Sequence, residues 1–168
     1  MNFAIPNPAS VPRVIHRFVV DLCDKIAPGT RPLRVLVRAE PDAQVNECFF
    51  NVRNKIARNG GDIQHGWAIW ERPGLFVEAE FHAVWVSPDK ELLDVTPKVD
   101  GESAILFLPD PKEVFDEQTY VRRDNIRLAQ YDHPAVHAFI RQWRLKTFDI
   151  YPRDKPPVPL IAGTPATS

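Results

Sequence analysis

The chain has 168 residues, 44% of them hydrophobic and 26% charged, and a formal net charge of −1. These values are typical of one globular domain, and they give no sign of a nucleic-acid-binding surface or of a basic membrane-binding patch. The sequence also lacks a secretory signal and any apolar run that could span a membrane, so we expect a cytoplasmic protein.

The spacing of apolar residues predicts nine elements and an α+β fold. In chain order they are a helix over 11–29, a strand over 32–40, a loop over 41–46, a helix over 47–61, strands over 63–71, 75–86, 91–97 and 104–109, and a helix over 133–146. Consecutive strands favour an antiparallel sheet with helices packed on it. We predict a single domain over 1–151, followed by a proline-rich tail over 152–168.

The strand over 75–86 has two different faces, because successive side chains of a strand point in opposite directions. Its odd-numbered residues, from Leu75 to Trp85, are all apolar and are predicted to face the core. Its even-numbered face is mixed and carries His82 near Glu78 and Glu80. We expect this second face to meet water or a cleft.

Asp94 lies on the next strand, after the turn sequence SPDK. A loop with an odd number of residues, centred on Pro88, puts Asp94 directly opposite His82, within roughly 5 Å. A loop with an even number puts Asp94 diagonally and, without a bulge, on the other face. The sequence therefore permits a His82–Asp94 pair without requiring it.

Cys48 is the residue that such a pair could activate. Asn46 is predicted to be the N-cap of the second helix, which puts Cys48 in the first turn. The amides and the dipole of a helix N-terminus stabilise a thiolate, and so does a nearby imidazolium. The alternative is an unreactive core cysteine, because Phe49 and Phe50 follow it. Cys23, on the apolar side of the first helix, is interpreted as structural.

A cysteine at a helix start, a histidine on a strand and an aspartate on the next strand resemble the transglutaminase-like branch of the papain-like fold. "FHAVWV" followed by "ELLDVTP" is similar to the H-x-W … D-x-T segment of that branch, although Trp85 is three residues after the histidine rather than two. Arylamine acetyltransferases share the order, but "VNEC" stands here in place of their R-G-G-x-C. "GWAIWE", "EAEFHAVW" and "DVTP" also resemble uncharacterised bacterial and phage proteins. The resemblance covers residues 46–97.

The resemblance implies a cysteine-dependent hydrolase or acyltransferase that acts on an amide. Cys48 is then the nucleophile, His82 the general base and acid, and Asp94 the group that orients the imidazole. The substrate is an amide-bearing protein, peptide or small molecule, attacked to give a thioester that water or an amine resolves. Peptidase, deamidase and transglutaminase chemistry all stay open, as does the oligomeric state.

The remaining candidate residues concern the oxyanion and the substrate. The amide of Cys48 and the side chain of Gln44 or Asn46 are candidate oxyanion donors, and Gln44 is a loose counterpart of the papain-type glutamine. Glu80 and Trp67 are candidate substrate-binding residues. The sequence has no metal-binding motif, and we expect no cofactor. The alternative function is a non-catalytic binding or scaffold domain of the same fold.

Overall fold

The computed structural model describes residues 9–118 and 123–150, with side chains described as far as Trp143. The elements in these residues are α1 (Arg17–Ile26), β1 (Leu33–Val37), α2 (Cys48–Asn59), β2 (Asp62–Arg72), β3 (Phe76–Val86), β4 (Leu92–Asp94), β5 (Ala104–Pro109), β6 (Ile126–Ala129) and α3 (Pro134–Ile150). The predicted α+β class is confirmed. The predicted tail over 152–168 lies outside the described residues. None of the described helices is both long and apolar enough to cross a membrane.

The described strands form one mixed sheet that closes into a small barrel. Their order is β2-β5-β1-β4-β3-β6, and β3 also pairs with β2, which closes the first five strands of this order. β1 and β4 run parallel, whereas the other pairings are antiparallel. The prediction of an antiparallel sheet is therefore wrong for the β1–β4 pair. α2, β2 and β3 lie between these two strands in the chain and supply the long connection that a parallel pair needs.

The two faces of β3 belong to two different apolar layers. Its buried odd-numbered residues face α1 and α2, as predicted; they are Val77, Ala79, Phe81, Ala83 and Trp85. The even-numbered face points into the barrel, where Val84 packs against Ala68 and Phe107. The ring of His82 lies on this interior face, 6.5 Å from the ring of Phe107. The expected contact of this face with water is thus limited to the part that lines a cleft.

The helices α1 and α2 cover the outer face of the β2–β3 hairpin. α1 contributes Val19, Leu22 and Cys23, and α2 contributes Phe49 and Val52. Both cysteines of the chain are free thiols. Cys23 is 1% exposed in this layer, which agrees with a structural role.

The element boundaries differ from the predictions mainly at the ends. α1 begins at Arg17 rather than at residue 11, and β4 is limited to Leu92–Asp94. β6 (Ile126–Ala129) was not predicted, because its alternation of Ile126, Arg127 and Leu128 covers only three residues, too few to mark a strand.

Replacing Gly66 with alanine tests the close approach of β2 and β5. A Cβ at Gly66 would lie 2.2 Å from the carbonyl oxygen of Leu108 and 2.6 Å from Cζ of Phe107. We expect Gly66→Ala to lower the free energy of unfolding, measured in urea, by about 3 kcal/mol, because the backbone of β5 must move. Gly29→Ala is the control: its Cβ meets nothing within 4 Å, and its left-handed φ of 79° costs about 1 kcal/mol. Equal losses would contradict the close packing of these strands.

Candidate active site

Cys48 is the first residue of α2 and is 5% exposed. The N-cap is Glu47, whose side chain makes no capping hydrogen bond, so the prediction that Asn46 is the N-cap is wrong. Asn46 instead has a left-handed backbone with φ 65°, which asparagine tolerates better than most residues. Because Cys48 is the first helical residue, its amide has no acceptor within the helix and lies at the positive end of the helix dipole.

Asn51, one turn into α2, connects this helix start to two loops. Its side chain accepts from the amide of Gln44 at 3.0 Å and donates to the carbonyl of the same residue at 2.7 Å. It also donates to Oγ1 of Thr96, in the segment after β4, at 3.1 Å. The position of Cys48 is therefore linked to the position of the segment that follows Asp94.

His82 and Asp94 form the predicted pair, with Nε2 of His82 2.9 Å from Oδ2 of Asp94. The register differs from the one centred on Pro88. Trp85 pairs with Leu93, and Val86 pairs with Leu92. The hairpin is therefore centred on residue 89. Continuing this register places Asp94 diagonal to His82 on the same face, because the number of loop residues is still odd.

The carboxylate of Asp94 is completely buried and accepts from three groups. Its Oδ1 accepts from the backbone amide of Thr96 at 3.0 Å. Its Oδ2 accepts from His82 and also from the ammonium of Lys98, whose Nζ lies 2.5 Å away. The same Nζ lies 3.5 Å from Nε2 of His82. Sequence reasoning missed Lys98, since it lies in a loop where no periodic pattern marks which side chains turn inward.

The charges of this group shift its pKa values strongly. Burial raises the pKa of Asp94, but the imidazolium of His82 and the ammonium of Lys98 lower it by more. The net pKa of Asp94 is about 2. Burial and Lys98 lower the pKa of His82, whereas Asp94 and the ionised form of Cys48 raise it, and the net result is about 10. The structure therefore favours an imidazolium at position 82 and a carboxylate at position 94.

A cleft of about 300 Å³ is lined by Cys48, His82 and Lys98 together. Nε2 of His82 is directed at Asp94, so Nδ1 is the ring nitrogen left for proton exchange.

The structure separates the other predicted site residues into two groups. Asn46 and Glu80 line the cleft. Gln44 is exposed and is not among the residues that line it. Trp67 is 3% exposed in the layer between the barrel and the helices, and its indole N–H donates to Asp110 at 3.1 Å. Neither Gln44 nor Trp67 is therefore part of the wall of this cleft.

Trp70, Arg72 and Glu78 also line the cleft and were not predicted as site residues. The strand alternation could have identified Trp70, because it differs from Trp67 by an odd number of positions and so points to the opposite face. In the structure Trp70 is paired with Glu78 across the hairpin. Glu78 is bound at 2.9 Å by Arg127, and burial raises the pKa of its carboxyl group.

Within residues 9–118 and 123–150, no three His, Cys, Asp or Glu side chains are grouped so that they could hold a metal ion. Comparison of the chain with protein-family models, with curated proteins and with solved structures gave no match.

His82→Gln should reduce the dependence of stability on pH. The pKa of His82 is raised from 6.5 to about 10 on folding, so its pairing with Asp94 stabilises the fold fully below pH 6.5 and is lost as the pH rises towards 10. We expect the free energy of unfolding of the wild type to fall between pH 7 and pH 9, by at most about 1.4 kcal/mol per pH unit. The fall should be shallower in His82→Gln and unchanged in a control that alters the exposed His133, His133→Gln. Urea titrations at pH 7, 8 and 9 measure this, and parallel curves for wild type and His82→Gln would refute it.

Proposed function

We propose that the protein is a cysteine-dependent hydrolase or acyltransferase that acts on an amide. Cys48 is the nucleophile, His82 is the general base and acid, and Asp94 orients the imidazole. One observation carries the proposal: a cysteine at a helix N-terminus and a histidine bound to a buried carboxylate line the same cleft. The papain-like or transglutaminase-like core is part of this proposal, and a helix bearing the cysteine packed on a barrel bearing the histidine is compatible with it.

The chemistry begins from an ion pair of the Cys48 thiolate and the His82 imidazolium, in which the thiol proton has already passed to the ring. The thiolate attacks the carbonyl carbon of the amide, and the resulting oxyanion lies near the amide of Cys48 and the side chain of Asn46. The imidazolium then protonates the leaving amine, which leaves a thioester on Cys48. Water or an amine, deprotonated by His82, attacks the thioester and restores the thiol.

Asp94 supports both proton transfers without changing its own charge. With its pKa lowered to about 2, the carboxylate stays ionised and stabilises the imidazolium that forms when Cys48 gives up its proton. Its bond to Nε2 also leaves Nδ1 as the ring nitrogen that exchanges the proton with Cys48 in this mechanism. The substrate in this proposal is an amide of a protein, a peptide or a small molecule, and the acyl acceptor is water or an amine. The two free thiols favour a reducing compartment such as the cytoplasm.

The second candidate function is a non-catalytic binding or scaffold domain. The low exposure of Cys48 and His82, 5% and 2% respectively, favours this candidate, because a nucleophile and its base must be reached by a substrate. In that case Asp94, His82 and Lys98 form only a buried ion-pair network. The reactivity of Cys48 distinguishes the two functions.

Alkylation with iodoacetamide at pH 7 should modify Cys48 at least about tenfold faster than Cys23, because an activated thiol is partly ionised at this pH. Cys23 is an internal control, since burial raises its pKa to about 11. His82→Ala should slow the labelling of Cys48, and Asp94→Asn should slow it less, because the imidazole is still present. The rate of mass gain on each cysteine-containing peptide measures all three effects.

Cys48→Ala is expected to fold, since it removes a single sulfur atom from a residue that lies between the apolar core and the cleft. Its thermal unfolding checks this. Equal and slow labelling of both cysteines, with no response to His82→Ala in a folded protein, would falsify the enzymatic function and leave the binding domain.

A further inference from the structure

Lys98 is a buried cation in the wall of the proposed active site. Its side chain is 8% exposed, and it lies four residues after Asp94 in the sequence "DVTPK". Its ammonium group contacts Oδ2 of Asp94 at 2.5 Å and lies 3.5 Å from Nε2 of His82. A lysine is rarely buried to this degree unless its charge is paired, and here the pairing carboxylate is the one that orients His82.

Two donors thus share one carboxylate oxygen. The imidazole and the ammonium group both approach Oδ2, while Oδ1 is held by the amide of Thr96. A carboxylate with three donors in a water-excluded position cannot rotate without breaking at least one of these bonds. Lys98 therefore restricts the direction from which Asp94 meets the ring of His82.

Lys98 also acts on the charge of His82. The charges that face this ring come from Asp94 on β4, from Lys98 in the loop after it and from Cys48 on α2. Two uncharged residues face it from the barrel, Gly66 on β2 and Phe107 on β5. Glu80 follows on the same face of β3 and also lines the cleft.

The effect of Lys98 is opposite in sign to that of Asp94. Asp94 raises the pKa of His82 and Lys98 lowers it. The pKa of His82 is about 10 with Lys98 in place, so a carboxylate without this counter-charge would hold the proton still more tightly and make the imidazolium a weaker acid towards the leaving amine. The ammonium group offsets part of that attraction.

We propose that Lys98 is a positioning residue of the active site, which fixes the Asp94 carboxylate and offsets its charge so that His82 can both accept and return a proton. The catalytic part of this role rests on the function proposed above. The effect on the protonation of His82 does not, and it can be measured separately.

The experiment follows the ring nitrogen chemical shifts of His82 by NMR between pH 7 and pH 12 in the full chain. Lys98→Met removes the charge and the donor, Lys98→Gln keeps a donor without the charge, and Lys98→Arg keeps both. We expect the titration midpoint of His82 to rise by about one pH unit in Lys98→Met and Lys98→Gln, and to stay within a few tenths of a unit in Lys98→Arg. Lys112→Met, which removes an exposed ammonium group, is the matched control and should leave the midpoint unchanged.

The titration is repeated in a Cys48→Ala background, where no thiolate contributes, and the same ordering is expected. In the chain that retains Cys48, the rate of alkylation is measured against pH. The pH at which this rate changes should shift between variants by the same amount as the NMR midpoint of His82. If Cys48 of the wild type is alkylated slowly but the His82 midpoints of the Lys98 variants keep the expected order, the enzymatic function is overturned and the effect of Lys98 on His82 is not. If the His82 midpoint is the same in folded Lys98→Gln and folded Lys98→Arg, the inference is overturned. This comparison does not depend on Lys98→Met, so it remains valid if that variant does not fold.

Discussion

The buried carboxylate of Asp94 is the group on which the rest of the site depends. A carboxylate without partners in a protein interior is unfavourable by several kcal/mol, so the fold has to bring donors to it. It does so with the imidazole of His82, the ammonium group of Lys98 and the amide of Thr96. His82 comes from β3, whereas Lys98 and Thr96 come from the segment after β4. The two segments are therefore held together by the charge that lies between them.

Thr96 joins this network to the candidate nucleophile. Its amide donates to Asp94, and its hydroxyl oxygen accepts from Asn51 of α2, the helix that begins at Cys48. The carboxylate thus connects with the cysteine through two hydrogen bonds and one turn of helix. Closure of the barrel also fixes the position of Asp94. This residue ends the short strand β4, which is held by β1 on one side and by β3 on the other.

Local sequence patterns predicted much of this arrangement. Features that depend on contacts between distant segments could not be predicted in this way. The period of two along β3 correctly assigned His82 to the mixed face, and the helix start correctly assigned Cys48 to a first turn. The sequence left the parity of the hairpin loop open; the loop is odd, which puts Asp94 on the same face as His82, and its centre lies one residue beyond Pro88. The parallel β1–β4 pairing and the inward turn of Lys98 depend on contacts between distant segments, for which a single sequence carries no periodic signal.

Stability alone does not account for the three ionisable side chains at positions 82, 94 and 98. Buried ion pairs are commonly no more stabilising than apolar residues of similar volume, and Ala68, Val84 and Phe107 fill the adjacent interior of the same barrel without any charge. Ion-pair networks can shift pKa values without any catalytic role, so the shifts are not decisive by themselves. What a structural network does not need is a cleft at its edge and a cysteine at the positive end of a helix in the wall of that cleft. In the function proposed above, the imidazole changes its protonation state beside Cys48, and the carboxylate and the ammonium group act on that change as well as holding the two segments together.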